Sequence, residues 1–282
     1  MTYDTRLTPA RPDLAAEHLR ETIEAKAYAP GRRMQVVRAF VDVKRAPDET
    51  APTETQALFG ETLIVYEQKN GYCWAQLDRD HYVGYIGETA LAEKSFRPDH
   101  RVRARHTMVY SQANIKSPPV EALPFGAEVH VVSASKDFSE LHNGGFVFSR
   151  HLAPTARPLS DFVGLAEMFL HTPYLWGGKT DMGIDCSGLA QLTLHAIGVP
   201  APRDADMMES GLGRPVEVDD RLRGLRRGDL IFWRGHVAIM RDEQTIIHAT
   251  AHSMTVMIEP LQTARDRIRS NNFSEITAIR RV

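Results

Sequence analysis

One β-rich pattern occurs twice in the middle of the chain. The stretch "LFGETLIVYEQKNGYCWAQL" is followed by "LPFGAEVHVVSASKDFSELHNGGFVF", in register when Gly60 is matched to Gly126, 66 positions on. Short runs of strand-forming residues punctuated by glycine give a strongly bent sheet with one buried face, so a tandem copy specifies two small β barrels in succession. The second copy is the degenerate one, because Trp74 and Tyr85 have no clear counterparts in it. Cys73 alternates with Trp74 on a strand of the first copy, where a small apolar side chain belongs in the core.

The flanks read differently. Leu14, Leu19, Ile23 and Ala27 fall near helical spacing between Pro12 and Lys26, with Asp13 as a cap, which predicts one short N-terminal helix. The stretch "HLAPTARPLS" carries two prolines and little apolar content, which places a linker near Ala153 to Pro158. Beyond it, the helical pattern "DFVGLAEMFL" precedes the strand-like runs "DLIFW", "HVAIM", "TIIHA" and "TVMIE". The expected organisation is α+β: a helical segment over 1–31, β modules over 32–97 and 98–157, and a last domain over 158–282.

A balance of 34 Lys+Arg against 36 Asp+Glu gives neither the basic field that nucleic acid requires nor a broad acidic surface. No segment approaches the roughly 18–20 uninterrupted apolar residues of a membrane span. The opening residues show no signal-peptide core or cleavage site, and two widely separated cysteines make no disulfide framework. The expected location is the cytoplasm, with both thiols reduced.

The chemistry gathers in the last domain. In "DMGIDCSGLAQL", Leu189, Leu192, Ala196 and Ile197 form one stripe that Gly198 and Pro200 terminate, so Cys186 sits in the first turn of a helix. Unpaired N–H groups and the positive helix end there favour a thiolate and predict a lowered thiol pKa. The same groups can hold an oxyanion, and Gly188 keeps the turn uncrowded. If "RDEQ" is the turn of a hairpin, His236 and His248 stand directly opposite each other on adjacent strands, on one face. His236 would then take the thiol proton and His248 would orient it. One Cys and two His could also ligate zinc, but the close pairs typical of such sites are missing.

The ordered motifs "YLWGG", "DCSGL", "PRDADMM", "RGDLIFW", "HVAI" and "IIHA" resemble those of the NlpC/P60 cysteine peptidases, from about Ser160 to the end. The resemblance implies a papain-like catalytic domain with Cys186 as nucleophile, His236 as base and His248 as third polar residue. It places Tyr174 beside the nucleophile at the oxyanion site, and Asp185 and Ser187 along the substrate groove. Two SH3-like modules ahead of this domain are similar to the branch that cleaves the γ-D-glutamyl–diamino acid bond of cell-wall peptides bearing a free L-alanine amine. Asp204 matches a substrate-binding acid of that branch, whereas the neighbouring position, often serine, is Ala205. An acid and a tyrosine of the first module are expected at the amine. Glu54 and Tyr82 are the candidates, with Glu61 and Tyr85 as alternates.

The expected protein is a cysteine peptidase acting on short stem peptides in muropeptide recycling. It needs no metal or organic cofactor, and its partner is the peptide, not nucleic acid or membrane. The alternatives are a thiol-dependent acyltransferase and a non-catalytic cell-wall-binding protein.

Overall fold

A computed structural model of the chain describes residues 3–93, 96–219, 221–272 and 274–282. Contacts divide it into two compact units, Met1–Arg157 and Pro158–Val282.

In the first unit a seven-stranded antiparallel sheet runs in the order Thr53–Leu58, Phe40–Lys44, Val83–Gly87, Tyr72–Leu77, Thr62–Lys69, Arg32–Val36, Leu91–Glu93. Its inward residues, among them Val36, Val43, Leu63, Leu77 and Ile86, form one apolar cluster that includes Cys73. The second module repeats the same backbone bonds 66 residues later. Gly60 N–H donates to the Val36 carbonyl at 3.0 Å, and Gly126 N–H to that of Val102 at 2.9 Å. Val36 and Val102 donate in turn to Glu61 and Ala127, each at 2.9 Å. Its own cluster gathers Val102, Val109, Leu123, Val129, Leu141 and Val147, and Phe59 of the first module joins it.

The helix expected between Pro12 and Lys26 does not form. Only a single 3-10 turn, Glu17–Leu19, is helical, and Ala15–Ala16 pairs as a parallel strand with Tyr28–Ala29. Tertiary polar contacts outweigh the weak helical period. Arg11 donates to Glu67 at 2.8 Å and to the Tyr85 hydroxyl at 3.0 Å, and its guanidinium lies 4.3 Å over the Trp74 ring. Asp13, the expected cap, instead accepts from Arg11 at 2.8 Å.

In the second unit six antiparallel strands run in the order Arg214–Pro215, Ala278–Arg281, Leu230–Trp233, His236–Met240, Thr245–Thr250, Thr255–Pro260. The amphipathic helix Leu261–Asn272 covers one face, placing Leu261 and Ala264 on Ile231, Trp233, Ala238, Met240 and Ile246. The helix Cys186–Ala196, its side chains almost all buried, packs on the His236 and His248 strands. It ends where Gly198 and Val199 N–H groups donate to the carbonyls of His195 and Leu194 at 3.1 and 3.0 Å, satisfying carbonyls the helix leaves open.

The hairpin register differs from the expected one. Ile239 pairs with Ile247 and Met240 with Ile246, so His248 lies diagonal to His236 rather than opposite it. The turn is tighter than "RDEQ": Arg241 N–H reaches the Thr245 carbonyl at 2.8 Å, and the Asp242 carboxylate accepts from the N–H groups of Gln244 and Thr245 at 2.9 and 2.8 Å. A shift of two residues keeps both histidines on one face, because side chains alternate with period two. No helix among the described residues is long and apolar enough to cross a membrane.

Gly60 joins the two β modules under a double constraint. Its φ of +84° lies in the left-handed region, and a Cβ there would meet the Glu128 carbonyl oxygen at 2.1 Å. Gly60→Ala is expected to destabilise the first unit by about 1–3 kcal/mol, read as a lower denaturant midpoint. An unchanged midpoint would contradict the packing described.

Candidate active site

The site is assembled from the start of one helix and three neighbouring strands. Asp185 caps the Cys186 helix, its carboxylate accepting from Gly188 N–H at 2.6 Å. That carboxylate also accepts from Gly177 N–H at 2.8 Å and, bidentately, from Arg203 at 3.0 and 2.6 Å. Arg203 is 1% exposed and donates a further bond to Ser187 Oγ at 2.7 Å. Asp185 and Ser187, expected along the groove, are thus buried and committed to fixing the helix start. Removing one partner would leave the other charge buried and unpaired, at a cost of about 3–5 kcal/mol. The crowding extends to Gly188, where a Cβ would meet the Gly178 carbonyl at 2.3 Å.

Tyr174 reaches the site through the chain that leads into the helix. It bridges in parallel to Ile184; Leu175 N–H donates to the Ile184 carbonyl at 3.2 Å, and Ile184 N–H to that of Pro173 at 3.0 Å. Its hydroxyl pKa is pushed up by burial and by the neighbouring Cys186 and Asp185, so it stays a protonated donor. Asp185 occupies the Gly188 N–H, so that donor is not open to a ligand.

The expectation of a low thiol pKa does not hold. Cys186 is 8% exposed, and burial, with the Asp185 charge next to it, pushes its pKa up to about 12. The backbone N–H groups of Val237 and Ser187 favour the thiolate but do not overcome this. Burial, His248 and Arg267 also push His236 down to about 3. Both are thus pushed towards their neutral forms, and neutral His236 carries one ring proton.

The hydrogen bonds fix where it goes. His236 Nε2 lies 2.8 Å from His248 Nδ1, and His248 Nε2 lies 2.9 Å from Glu259 Oε1. Arg267 holds Glu259 bidentately, both bonds at 2.5 Å. Burial alone would raise the Glu259 pKa, but the bonds from Arg267 and His248 hold it at about 2. An ionised carboxylate only accepts, so His248 carries its proton on Nε2 and offers a lone pair at Nδ1. His236 must then carry its proton on Nε2. By this bonding its Nδ1 is left bare.

Glu259, Arg267 and Arg203 were not singled out in the sequence. Glu259 carried a readable signal: it lies two residues past Met257, which pairs with His248, and so is a carboxylate on the histidine face of a buried strand. Arg267 carries none, since its partner Glu259 lies in a different element. Asp204 stands just before the helix Ala205–Gly211 and makes no side-chain cap bond there. Glu54 and Tyr82 line one cavity of about 610 Å³ in the first unit, together with the alternate Tyr85. Glu54 is paired there with Arg45. The alternate Glu61 is absent from that lining; 3% exposed, it lies 3.5 Å from Arg79. No group of three or more His, Cys, Asp or Glu among the described residues is arranged to hold a metal ion.

A resting neutral thiol has a kinetic signature. Alkylation of Cys186 by iodoacetamide, followed at the peptide level to separate it from Cys73, should keep rising with pH up to at least about pH 9. A plateau beginning near about pH 4, as for a preformed thiolate–imidazolium pair, would contradict the burial argument.

Residues 171–270 match the NlpC/P60 family, and residues 43–91 match the bacterial dipeptidyl-peptidase SH3 domain. The chain is 34% identical over 268 residues to dipeptidyl-peptidase 6 of Lysinibacillus sphaericus, covering 86% of this chain and 97% of that protein. It is 28% identical over 244 residues to a gamma-D-glutamyl-L-lysine dipeptidyl-peptidase of Bacillus cereus, covering 74% and 71%. A crystal structure of an NlpC/P60 family protein from Bacillus cereus shares the fold with a TM-score of 0.72 at 21% identity, over 88% of this chain and 99% of that one. The chain belongs to the NlpC/P60 family of cysteine peptidases, with a bacterial dipeptidyl-peptidase SH3 domain ahead of its peptidase domain.

Proposed function

We propose that this peptidase hydrolyses the γ-D-glutamyl–diamino acid bond of short peptidoglycan-derived peptides that begin with a free L-alanine. The observation that carries the chemistry is the unbroken line of hydrogen bonds from His236 through His248 and Glu259 to Arg267, starting next to Val237, whose N–H meets the buried Cys186 thiol. The names of the relatives support the substrate class.

In this reading Cys186 Sγ attacks the γ-carbonyl carbon of D-glutamate as its proton passes to His236 Nδ1. The oxyanion meets the Cys186 N–H and the Tyr174 hydroxyl. Collapse breaks the C–N bond, and the departing diamino acid amine takes the proton from Nδ1. Water then attacks the thioester carbon while giving a proton to the same nitrogen, and the thiol leaves reprotonated. His248 and Glu259 touch no reacting atom and hold the base in one tautomer.

We assign Glu54 and Tyr82 to recognition of the alanine amine and Asp204 to substrate binding, with Asp185 and Ser187 shaping the groove from beneath. An ammonium needs anionic and hydrogen-bonding partners once dehydrated. We further read the second β module as a second SH3-like barrel, supported by the backbone bonds it shares with the first. Released fragments in the cytoplasm, in a recycling role, are the setting that a requirement for a free amine fits best.

Mass spectrometry of L-Ala-γ-D-Glu-diaminopimelate incubated with the protein tests the reading, beside the same peptide acylated on its alanine amine and a Cys186→Ala control. Cleavage confined to the free-amine peptide and lost in the variant is the expected result. Glu54→Gln should raise KM by about tenfold, the loss of one charge-assisted bond. Equal cleavage of both peptides would remove the amine specificity, and an unchanged KM would remove Glu54.

A further inference from the structure

The second unit holds a cavity of about 400 Å³ with His236 in its wall, small for a ligand site but within the usual range of roughly 300–1,000 Å³. No residue of the Cys186 helix and none of 203–205 lines it. His236 Nε2 is occupied by His248, so Nδ1 must serve both the thiol and the departing amine. The cavity begins at this ring, is bordered by Tyr174 and includes no residue of the helix start, which suits it to a leaving group.

Its lining has a definite charge. Arg234 and Arg267 both contribute, and no Asp or Glu is among the described residues that line it. Glu259 neutralises Arg267 with two bonds. Arg234 differs: it is exposed, its backbone N–H donates to Ser274 Oγ at 3.4 Å, and its guanidinium has no partner among the described residues. Glu275, adjacent in sequence to Ser274, is taken by Arg269 at 2.8 Å. On the inner wall Trp233 is 1% exposed, and its indole N–H also lacks an acceptor. Asn271 and Thr250 add neutral groups able to accept from an ammonium.

We propose that this cavity receives the side chain of the released diamino acid and that Arg234 selects one ending in a carboxylate, diaminopimelate, over one ending in a bare ammonium, lysine. The proposal rests on the peptidase reading above and adds its specificity. A guanidinium presents a planar fork that matches a carboxylate bidentately, and it repels the lone ammonium of lysine. The second ammonium of diaminopimelate is attached to the same carbon as its distal carboxylate, where Asn271 and Thr250 offer oxygen acceptors.

The test compares kcat/KM for L-Ala-γ-D-Glu-meso-diaminopimelate and L-Ala-γ-D-Glu-L-Lys in the full-length protein and in Arg234→Gln, Arg234→Lys and Arg234→Glu. The wild type should prefer the diaminopimelate peptide by ~10–100-fold, the worth of one bidentate charged contact. Arg234→Gln should collapse that ratio, Arg234→Lys should restore part of it, and Arg234→Glu should turn it towards lysine. Equal or better cleavage of the lysine peptide by the wild type, or a ratio unmoved by the variants, would overturn the pocket assignment alone. Cleavage of neither peptide would overturn the peptidase reading and the pocket with it.

Discussion

Arg267 closes on Glu259 with two bonds of 2.5 Å, and the order of protons in the site follows from that pair. A carboxylate held ionised can only accept, so it fixes the proton on His248 Nε2, and His248 fixes the proton on His236 Nε2. The bare nitrogen of His236 is thus decided by residues that do not touch its ring. Without the arginine, burial would push Glu259 towards its neutral form, which could donate to His248 and reverse both tautomers. Trp233 supports the same arrangement from the side, its ring 5.8 Å from that of His236.

The nucleophile is built on the opposite electrostatic logic. Asp185 is needed beneath the Cys186 helix, where it binds two backbone N–H groups and Arg203, yet its charge disfavours a thiolate on the adjacent residue. Burial is the larger cause that disfavours the thiolate, Asp185 adds to it, and Arg203 offsets part of the Asp185 charge. In the proposed reaction the nucleophile gains its charge only as His236 Nδ1 takes the proton. The tautomer then matters more than the resting pKa, because a base with its proton on the wrong nitrogen could not act at all.

Legibility in the sequence followed the range of the interactions. The tandem repeat was visible because each module closes on bonds local to itself, such as Gly60 to Val36 and Gly126 to Val102. The shared face of His236 and His248 followed from strand alternation, whereas their register did not, since the Asp242 carboxylate tightened the turn by one residue. The N-terminal helix was misread because Arg11 is held by residues more than 50 positions away, which no local period encodes. Arg203 and Arg267 stayed hidden for a related reason: each acts on a residue in a different element, and only the fold shows that Arg203 is buried against Asp185. The lowered thiol pKa inferred from the helix start was overturned by burial, a quantity that the position of one residue in one helix does not contain.

The most direct measurement is nitrogen-15 NMR of the protein labelled at its histidine rings, with Glu259→Ala beside the wild type. At neutral pH the account predicts that His236 shows a bare, pyridine-type Nδ1 and a protonated Nε2, and that this assignment is lost in the variant. A protonated Nδ1 on His236 in the wild type, or an unchanged tautomer when Glu259 is removed, would contradict it.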